Sequence, residues 1–286
     1  MGNALLWPLR KFRAFVYDAL ILKLTTKWYE VVLCRLDEGS IVLDVGIGTA
    51  GALTNIRVET NIDWEMTANC KPQQFALLSA TGALVRCKDI LLDRQIRVVG
   101  IDYDADYINK AQDTIRRAGL DHLVSVLEMS VYELDAHLPP NMQMPLRGSR
   151  KARDCSGLRP NATTDLWKPN SFDAIFFSGS FSLLPDLPHA LNAVRPFLRQ
   201  HDGKIYITQT YQRFIPPFLT WVKPLLRYIT TVDFGKLITE TQAATFFRKT
   251  VPTKCNLHCI EHEVIGGSVD TFLQAAYLTI LRPNSM

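Results

Sequence analysis

The sequence predicts an α/β protein in which a mostly parallel sheet carries helices on both faces and is closed by an antiparallel strand pair. Three observations support this fold class. Short apolar runs alternate with helical segments, the first run is followed by a glycine-rich turn, and the last two runs lie close together. Strands that alternate with helices pair in parallel because each crossover returns the chain to the same sheet edge, whereas two consecutive strands pair antiparallel.

Composition and charge are those of an ordinary globular protein. The chain has 286 residues, of which 47% are hydrophobic and 21% are charged, enough to bury a sizeable core. The net charge of +4 is spread along the chain rather than gathered in a basic stripe. We therefore expect no nucleic-acid partner.

The targeting features predict a cytoplasmic protein. No run of about 18 apolar residues is present that would cross a bilayer. The start, from Met1 to Leu6, lacks the charged region and the small-residue cleavage site of a secretory signal. Six cysteines are scattered through the chain, which is typical of reduced thiols in a cytosolic protein.

The first predicted element is an amphipathic helix or helix pair within residues 12–36. Its apolar positions recur at helical spacing: Phe15, Leu20, Leu22, Leu24, Trp28, Val31 and Val32. We predict that residues 1–36 form an N-terminal helical lid and that residues 37–286 form the main domain. The helix either packs on that domain, covers a ligand, or makes weak contact with a membrane surface through nearby basic residues.

Seven strands follow, each a short apolar run between turn residues. They are predicted at residues 40–45, 96–101, 124–127, 172–177, 203–208, 259–265 and 275–281. Helices are predicted over 105–119 and 183–198. Asp104 is placed to cap the first of these helices, and Gly119 is placed to end it.

Two irregular segments, 51–81 and 139–170, interrupt this alternation. The second is rich in basic residues, glycine and proline, a composition typical of disorder. Within the first, Gly51-Ala52-Leu53 recurs as Gly82-Ala83-Leu84, and removal of 51–81 joins the glycine turn directly to an amphipathic helix. We therefore interpret 51–81 as an insertion, either genuine or an artefact of the gene model such as a retained intron.

The glycine turn contains the residues that indicate a ligand site. Residues 42–51 are V-L-D-V-G-I-G-T-A-G, with glycines in the G-x-G-x-x-G spacing that is typical of dinucleotide sites. Asp102 ends the second strand and follows later than the roughly 20 positions usual for NAD, but an insertion accounts for that distance. Asp44 distinguishes better between NAD and other ligands, because a carboxylate repels a pyrophosphate. S-adenosylmethionine has no phosphate, and its ammonium and sulfonium groups suit a carboxylate.

Three motifs in this order resemble class I S-adenosylmethionine-dependent methyltransferases. D-V-G-I-G-T-A-G at 44–51 resembles the first motif of the family, and V-V-G-I-D-Y-D at 98–104 resembles the second. S-F-D-A-I-F-F-S-G-S-F at 171–181, followed by L-L-P-D, is similar to the fourth. The resemblance covers roughly residues 36–283 and implies a Rossmann-like, seven-stranded fold, S-adenosyl-L-methionine as cofactor, and methyl transfer.

The resemblance also implies roles for individual residues. Gly46, Ile47 and Gly48 would pass under the methionine part of the cofactor, with Asp44 near its ammonium group. Asp102 would accept hydrogen bonds from both ribose hydroxyls, and Tyr103 would lie against the adenine. The remaining predicted cofactor contacts are Ser130, where many members have an acidic residue, Val131, through its N–H, and Ser178, beside the departing methyl group.

No catalytic residue is assigned. Methyl transfer mainly requires positioning, and a base is needed only where the acceptor must lose a proton. Candidates for such a base are His189, Tyr211 and Tyr17, none of which has a partner evident in the sequence.

The stretch 211–228 is aromatic and basic, and it predicts a small acceptor that is hydrophobic or lipid-like. Two alternatives stay open: a non-catalytic, cofactor-binding partner subunit of the same fold, and an NAD(P)-dependent oxidoreductase.

A group of cysteines and histidines between 255 and 262 has the spacing C-x-x-H-C-x-x-H. This is not one of the familiar zinc arrangements. The group also runs into a predicted strand, where alternation places His258 and Cys259 on opposite faces. We therefore predict no metal site.

Overall fold

The computed structural model describes residues 23–54, 87–137, 167–215 and 237–284. They form a seven-stranded sheet in the order β3-β2-β1-β4-β5-β7-β6. The strands are β1 (Ile41–Val45), β2 (Arg97–Asp102), β3 (Val124–Glu128), β4 (Ala174–Ser178), β5 (Lys204–Gln212), β6 (Leu257–Val264) and β7 (Gln274–Pro283).

Helices cover both faces of the sheet. The α-helices are α1 (Lys23–Leu33), α2 (Gly51–Thr54), α3 (Cys87–Asp93), α4 (Ala105–Ala118), α5 (Leu187–Val194), α6 (Glu240–Thr245) and α7 (Val251–Cys255). Short 3-10 helices span Val131–His137, Phe181–Leu183 and Arg195–Phe197, and one π-helical turn spans Phe246–Thr250. No helix in the described ranges is both long and apolar enough to cross a membrane.

The pairing confirms the predicted fold class. Strands β1 to β5 pair in parallel, and β7 pairs antiparallel with both β5 and β6. The closing pair, β6 and β7, was predicted as a hairpin after the parallel strands. The structure adds that the last strand, β7, lies inside the sheet, between β5 and β6.

Helix α1 packs against the core through an aromatic and aliphatic face. Trp28, Tyr29 and Val32 are all buried. Lys27 and Glu30 interrupt the apolar pattern in the sequence, yet both are buried and form an ion pair at 3.1 Å. Residues 1–22 lie outside the described ranges, and the predicted division at residue 36 stays a prediction.

Helix α4 begins and ends as its sequence predicts. The Asp104 carboxylate accepts hydrogen bonds from the N–H groups of Asp106 and Tyr107, and Gly119 ends the helix with φ of 67°. Glycine is favoured there because a side chain strains a left-handed backbone. Asp104 is the cap, which leaves Asp102 for another role.

The prediction of one helix over 183–198 is wrong. The segment is divided into a 3-10 turn, α5 and a second 3-10 turn. Prolines explain the division, because proline lacks an N–H and disfavours helix in the residue before it. Pro188 lies in the first turn of α5, and Pro196 lies in the second 3-10 turn.

The two predicted insertions are only partly described. Helix α2 occupies the first residues of 51–81 and is followed by a range that lies outside the described residues. The last residues of 139–170 are described, and Trp167 there packs against Phe172 and Phe197 at centroid distances of 6.0 Å. The core on that face of the sheet therefore extends to Trp167.

Candidate functional site

The predicted site residues lie at one edge of the sheet. Strands β1, β2, β3 and β4 are parallel, so their carboxyl ends meet there. The strand order reverses between β1 and β4, and ligands of open α/β sheets bind in the crevice at such a point. We call this position the switch point.

The loop after β1 is held in a left-handed conformation at three alternate residues. Gly46, Gly48 and Ala50 have φ of 79°, 60° and 54°. The G-x-G-x-x-G spacing in the sequence predicts Gly51 as the third loop glycine, but Gly51 begins α2. The strained third position is therefore occupied by Ala50, a residue that adopts this conformation at a cost of about 1–2 kcal/mol.

Most of the described N–H groups of this loop are used inside the protein. The N–H groups of Gly46 and Ile47 donate to the Ile101 carbonyl at 2.8 and 3.2 Å, and the Gly48 N–H donates to Asp102 Oδ2 at 3.1 Å. A dinucleotide loop presents such groups to a pyrophosphate. This loop directs three of them inward, and one of the three bonds a carboxylate.

Asp102 ends β2 with its carboxylate held by backbone. Its Oδ1 accepts from the Asp104 N–H at 3.0 Å, while Oδ2 accepts from Gly48. A carboxylate has about four lone-pair sites, so two remain for a ligand. Burial raises the pKa of Asp102, and its hydrogen bonds from backbone N–H groups oppose that shift. The next residue, Tyr103, leaves 79% of its surface exposed and is free to cover a flat ligand.

Ser130 and Val131 follow β3 at the same edge. The Ser130 N–H donates to Glu133 Oε2 at 3.0 Å, and the Ser130 hydroxyl accepts a long bond from the Tyr132 N–H. Val131 begins a 3-10 helix, so its N–H lies outside the helix's own hydrogen bonds. Contact between this N–H and a cofactor stays a prediction.

Asp44 is completely buried beneath the switch point and contacts helix α1. Its Oδ2 accepts a hydrogen bond from the Tyr29 hydroxyl at 2.5 Å. The other oxygen, Oδ1, has no partner among the described residues, and neither has the buried Ser178 hydroxyl at the end of β4. Ser178 lies near enough to Tyr29 to affect its pKa without completing a hydrogen bond. Two orphaned polar atoms thus lie beside this aromatic hydroxyl.

Burial shifts the titration of both members of this pair. Loss of solvent raises the pKa of Asp44 to about 7, the bond from Tyr29 opposes the shift, and the nearby charge of Asp102 adds to it. Burial also raises the pKa of Tyr29, to which the charge of Asp44 contributes. The Asp44 carboxyl group is therefore protonated, and uncharged, over much of the acidic range.

Close packing joins the loops after β1 and β4. The Ser180 hydroxyl donates to the Val45 carbonyl at 2.5 Å, and a Cβ at Gly46 would lie 2.5 Å from the Ser180 Cβ. A Cβ at Gly179 would lie 3.0 Å from the Trp28 ring. Trp28 in turn donates to the Ser268 hydroxyl at 3.0 Å, which ties α1 to the turn before β7.

The three base candidates are in different environments. Tyr211 is buried, and its pKa is raised by that burial, which opposes deprotonation. The His189 ring packs against Tyr132 in a tilted arrangement, with centroids 4.9 Å apart. Tyr17 lies outside the described residues. None of the three is brought to Asp44 or Ser178 by a described contact.

The cysteines and histidines near residue 258 contact different partners. Cys255 donates to the Pro188 carbonyl, and His258 bonds Asn284 at 3.1 Å. His262 bonds the Thr279 hydroxyl at 2.8 Å. Within the described ranges, no three His, Cys, Asp or Glu side chains are grouped to hold a metal ion.

The sequence did not reveal the role of the aromatic pair Trp28 and Tyr29. Both fit the apolar face of α1, and Tyr29 meets Asp44 only through the tertiary fold. The available hint was a tyrosine within a helix that directly precedes the first strand.

Neither a protein-family model nor a curated protein sequence matches the chain. Solved structures do match. The [4+2]-cyclase SpnF is 15% identical with a TM-score of 0.50, over 91% of this chain and 82% of that one. The MccD protein is 12% identical with a TM-score of 0.51, over 91% and 96%. A methyltransferase from Geobacter sulfurreducens, solved with S-adenosyl-L-homocysteine, is 11% identical with a TM-score of 0.47, over 91% and 90%.

At these identities the likeness concerns the fold alone. The sheet order, the parallel strands and the inserted antiparallel β7 agree with it. The chain therefore has the Rossmann-like, seven-stranded fold that the sequence predicts.

Proposed function

We propose that the protein transfers a methyl group from S-adenosyl-L-methionine to a small acceptor of hydrophobic or lipid-like character. The observation that carries this proposal is the pair of acidic residues that flank the glycine loop. Asp44 lies below the loop and Asp102 beside it, at the point where the strand order reverses. A cofactor with an ammonium group at one end and ribose hydroxyls at the other suits this arrangement.

The described residues fit the cofactor on chemical grounds. The orphaned Asp44 Oδ1 and Ser178 Oγ would receive its ammonium group, because buried polar atoms without partners are costly. Asp102 has acceptor sites left for the ribose. A Cβ at Gly48 would meet no atom within 4 Å, so the loop is open on that side. Ile47, Tyr103, Ser130 and Val131 remain predicted contacts.

The same loop disfavours the oxidoreductase alternative. The N–H groups of Gly46, Ile47 and Gly48 all donate within the protein. A pyrophosphate would find these donors occupied and a carboxylate beside them, which repels it.

The bound cofactor would supply a methyl group already activated by its sulfonium. The chain's own residues then need to position the acceptor and exclude water. Trp28 covers the end of β4 at Gly179, next to the predicted path of the methyl group, and Phe181 is buried just beyond it. These residues supply an apolar boundary for the acceptor.

The apolar character of the acceptor has further support from the surface. Phe214 follows β5, while Phe272 and Leu273 precede the antiparallel β7, so all three lie at the same sheet edge as the switch point. Phe272 leaves 82% of its surface exposed and Phe214 leaves 50%. Contiguous exposed apolar side chains mark interaction surfaces. The same proposal includes weak membrane contact through the N-terminal helix. It also includes a cytoplasmic location, which the free cysteines favour.

A direct test is thermal unfolding with S-adenosylmethionine, S-adenosylhomocysteine or NAD. A ligand at about 100 times its Kd stabilises by about 2.7 kcal/mol. We expect stabilisation by the two adenosyl ligands and none by NAD. Stabilisation by NAD alone would contradict the proposal. Methyl transfer to apolar small molecules, measured without any partner protein, then separates an enzyme from a non-catalytic partner subunit.

A further inference from the structure

Helix α1 places a tyrosine against the acidic residue of the glycine loop, and the contact is completely buried. The Tyr29 hydroxyl donates to Asp44 Oδ2 at 2.5 Å, and the Tyr29 ring packs edge-on against Phe176 of β4 with centroids 4.9 Å apart. The ring is therefore held by Phe176 and the hydroxyl by Asp44. Since one carboxylate oxygen is held in this way, the other is directed elsewhere and has no described partner.

Among the described residues, those that act on Asp44 supply no positive charge that would neutralise it. Asp102 faces it from β2, and Cys87 of α3 faces Tyr29. From β4 comes the uncharged Ser178. The cation nearest in sequence on α1, Lys27, is paired with Glu30. A cationic ligand group would be the missing counter-charge.

We propose that Tyr29 is a positioning residue for the cofactor. It holds one oxygen of Asp44 so that the other oxygen, together with Ser178 Oγ, receives the ammonium group of the ligand, and it makes this uptake depend on whether Asp44 carries a proton. The proposal rests on the proposed function, because it concerns the same cofactor.

The direction of the pH effect follows from charge. A protonated Asp44 is neutral and attracts an ammonium group weakly, so binding of the ligand must expel the proton. Burial holds the pKa of Asp44 near 7, so affinity should fall about tenfold between pH 8 and pH 6. Replacing Tyr29 by Phe removes a bond that lowers this pKa, so the midpoint should move to higher pH.

The experiment measures the Kd of S-adenosylhomocysteine by calorimetry from pH 5.5 to 8.5 for wild type, Tyr29→Phe, Asp44→Asn and Tyr206→Phe. Tyr206 is a matched control, because it is a buried tyrosine of the same core cluster that does not contact Asp44. Titration of the ligand's own amino group is common to all four proteins and cancels in the comparison.

We expect Tyr29→Phe to bind on the order of tenfold more weakly than wild type at pH 6.5 and nearly equally at pH 8.5. Tyr206→Phe should follow wild type, and Asp44→Asn should bind weakly with the least pH dependence. If Tyr29→Phe is less heat-stable but keeps the wild-type pH midpoint, Tyr29 is only structural and the proposal is wrong.

A second measurement needs no ligand affinity. Infrared spectroscopy resolves the carbonyl band of a protonated, buried carboxyl group, and Asp44→Asn identifies it. We expect the band to disappear at lower pH in wild type than in Tyr29→Phe. Identical titration in the two proteins would overturn the role of Tyr29. Absence of binding at every pH, with the band behaving as expected, would instead count against the proposed function.

Discussion

The backbone N–H of Gly48 donates to Asp102 Oδ2 across the mouth of the glycine loop at 3.1 Å. One carboxylate thus orders the loop and, in the proposed function, also receives the ribose of the cofactor. Loss of the whole side chain would combine these two effects, whereas a change to asparagine keeps the size of the side chain and one oxygen that can accept from Gly48.

We expect Asp102→Asn to reduce affinity for S-adenosylhomocysteine by roughly tenfold to a hundredfold, since a hydrogen bond to a charged group contributes about 1.5–3 kcal/mol. The unfolding temperature should fall modestly, because the asparagine NH2 group faces one of the two N–H groups, of Gly48 or Asp104, that the carboxylate accepts from. Calorimetric titration measures the first quantity and differential scanning calorimetry the second. Asp106→Asn, at an acidic position in the first turn of α4, is the control and should bind normally. Unchanged affinity in Asp102→Asn would remove Asp102 from the site.

Alanine substitutions at two glycines of the loop should distinguish the loss of close packing from the loss of ligand contact. In Gly46→Ala the new Cβ would overlap Ser180, so we expect the free energy of unfolding to fall by about 1–3 kcal/mol. In Gly48→Ala the Cβ enters open space, so only backbone strain of about 1–2 kcal/mol remains. Urea unfolding measures both. Cofactor affinity should fall in Gly48→Ala, and a variant that binds normally would contradict a ligand on that side.

Ala50→Gly should stabilise the protein. Ala50 has φ of 54°, and glycine adopts that conformation without strain. After the greater flexibility of unfolded glycine is subtracted, we expect a gain of about 0.5–1 kcal/mol in urea unfolding. The matched control is Ala52→Gly within helix α2, which should lose about 1 kcal/mol. A loss in both variants would mean that Ala50 is not strained.

Stability should fall as pH rises through the acidic range. The pKa of Asp44 is raised to about 7 in the folded protein from an ordinary 3.8, so the folded state binds more protons between these values. The free energy of unfolding should therefore decrease from about pH 4 to about pH 7 and level off above. Asp44→Asn should flatten this slope, although the raised pKa of Asp102 leaves part of it. Asp113→Asn, an exposed change, should leave the slope as it is.

Deletion of residues 51–81 should preserve the fold. The deletion replaces Gly51-Ala52-Leu53, whose members are buried, by the identical Gly82-Ala83-Leu84. A shorter connection between β1 and α3 also reduces the entropy lost on folding, by an amount on the order of 1 kcal/mol. Thermal unfolding and cofactor binding measure the outcome.

A deletion of 51–79 is the control for this experiment. It leaves two extra residues, which would rotate α3 and turn its buried side chains Ile90 and Leu91 away from the core. This deletion should therefore destabilise the protein. If the two deletion variants are equally stable, the inserted segment does not begin and end at the repeated Gly-Ala-Leu sequence. Abundant peptides from within 56–80 in the native protein would show that the segment is not a gene-model artefact.

Local patterns were sufficient to predict the strands and helix α4. Buried runs such as Val98 to Ile101 are apolar throughout, as parallel central strands require, and Asp104 and Gly119 are local caps. Asp44 could be selected because it lies two residues before the first glycine of the loop, and Asp102 because it ends the second predicted strand.

The remaining features depend on contacts distant in sequence. Tyr29 meets Asp44 only when α1 docks, and Trp28 reaches Ser268 across 240 positions. The left-handed Ala50 is likewise invisible locally, since alanine normally avoids that conformation. Periodicity assigns such residues to a buried face without naming what they touch.

The position of β7 has a consequence for synthesis on the ribosome. This strand follows all the others in the sequence but separates β5 from β6. Until Pro283 has emerged, β5 has a bare edge and β6 has no neighbour to pair with. A nascent chain interrupted before that point would present the nine-residue β5 as an open template for aggregation, so chaperones should be needed most in the last moments of translation.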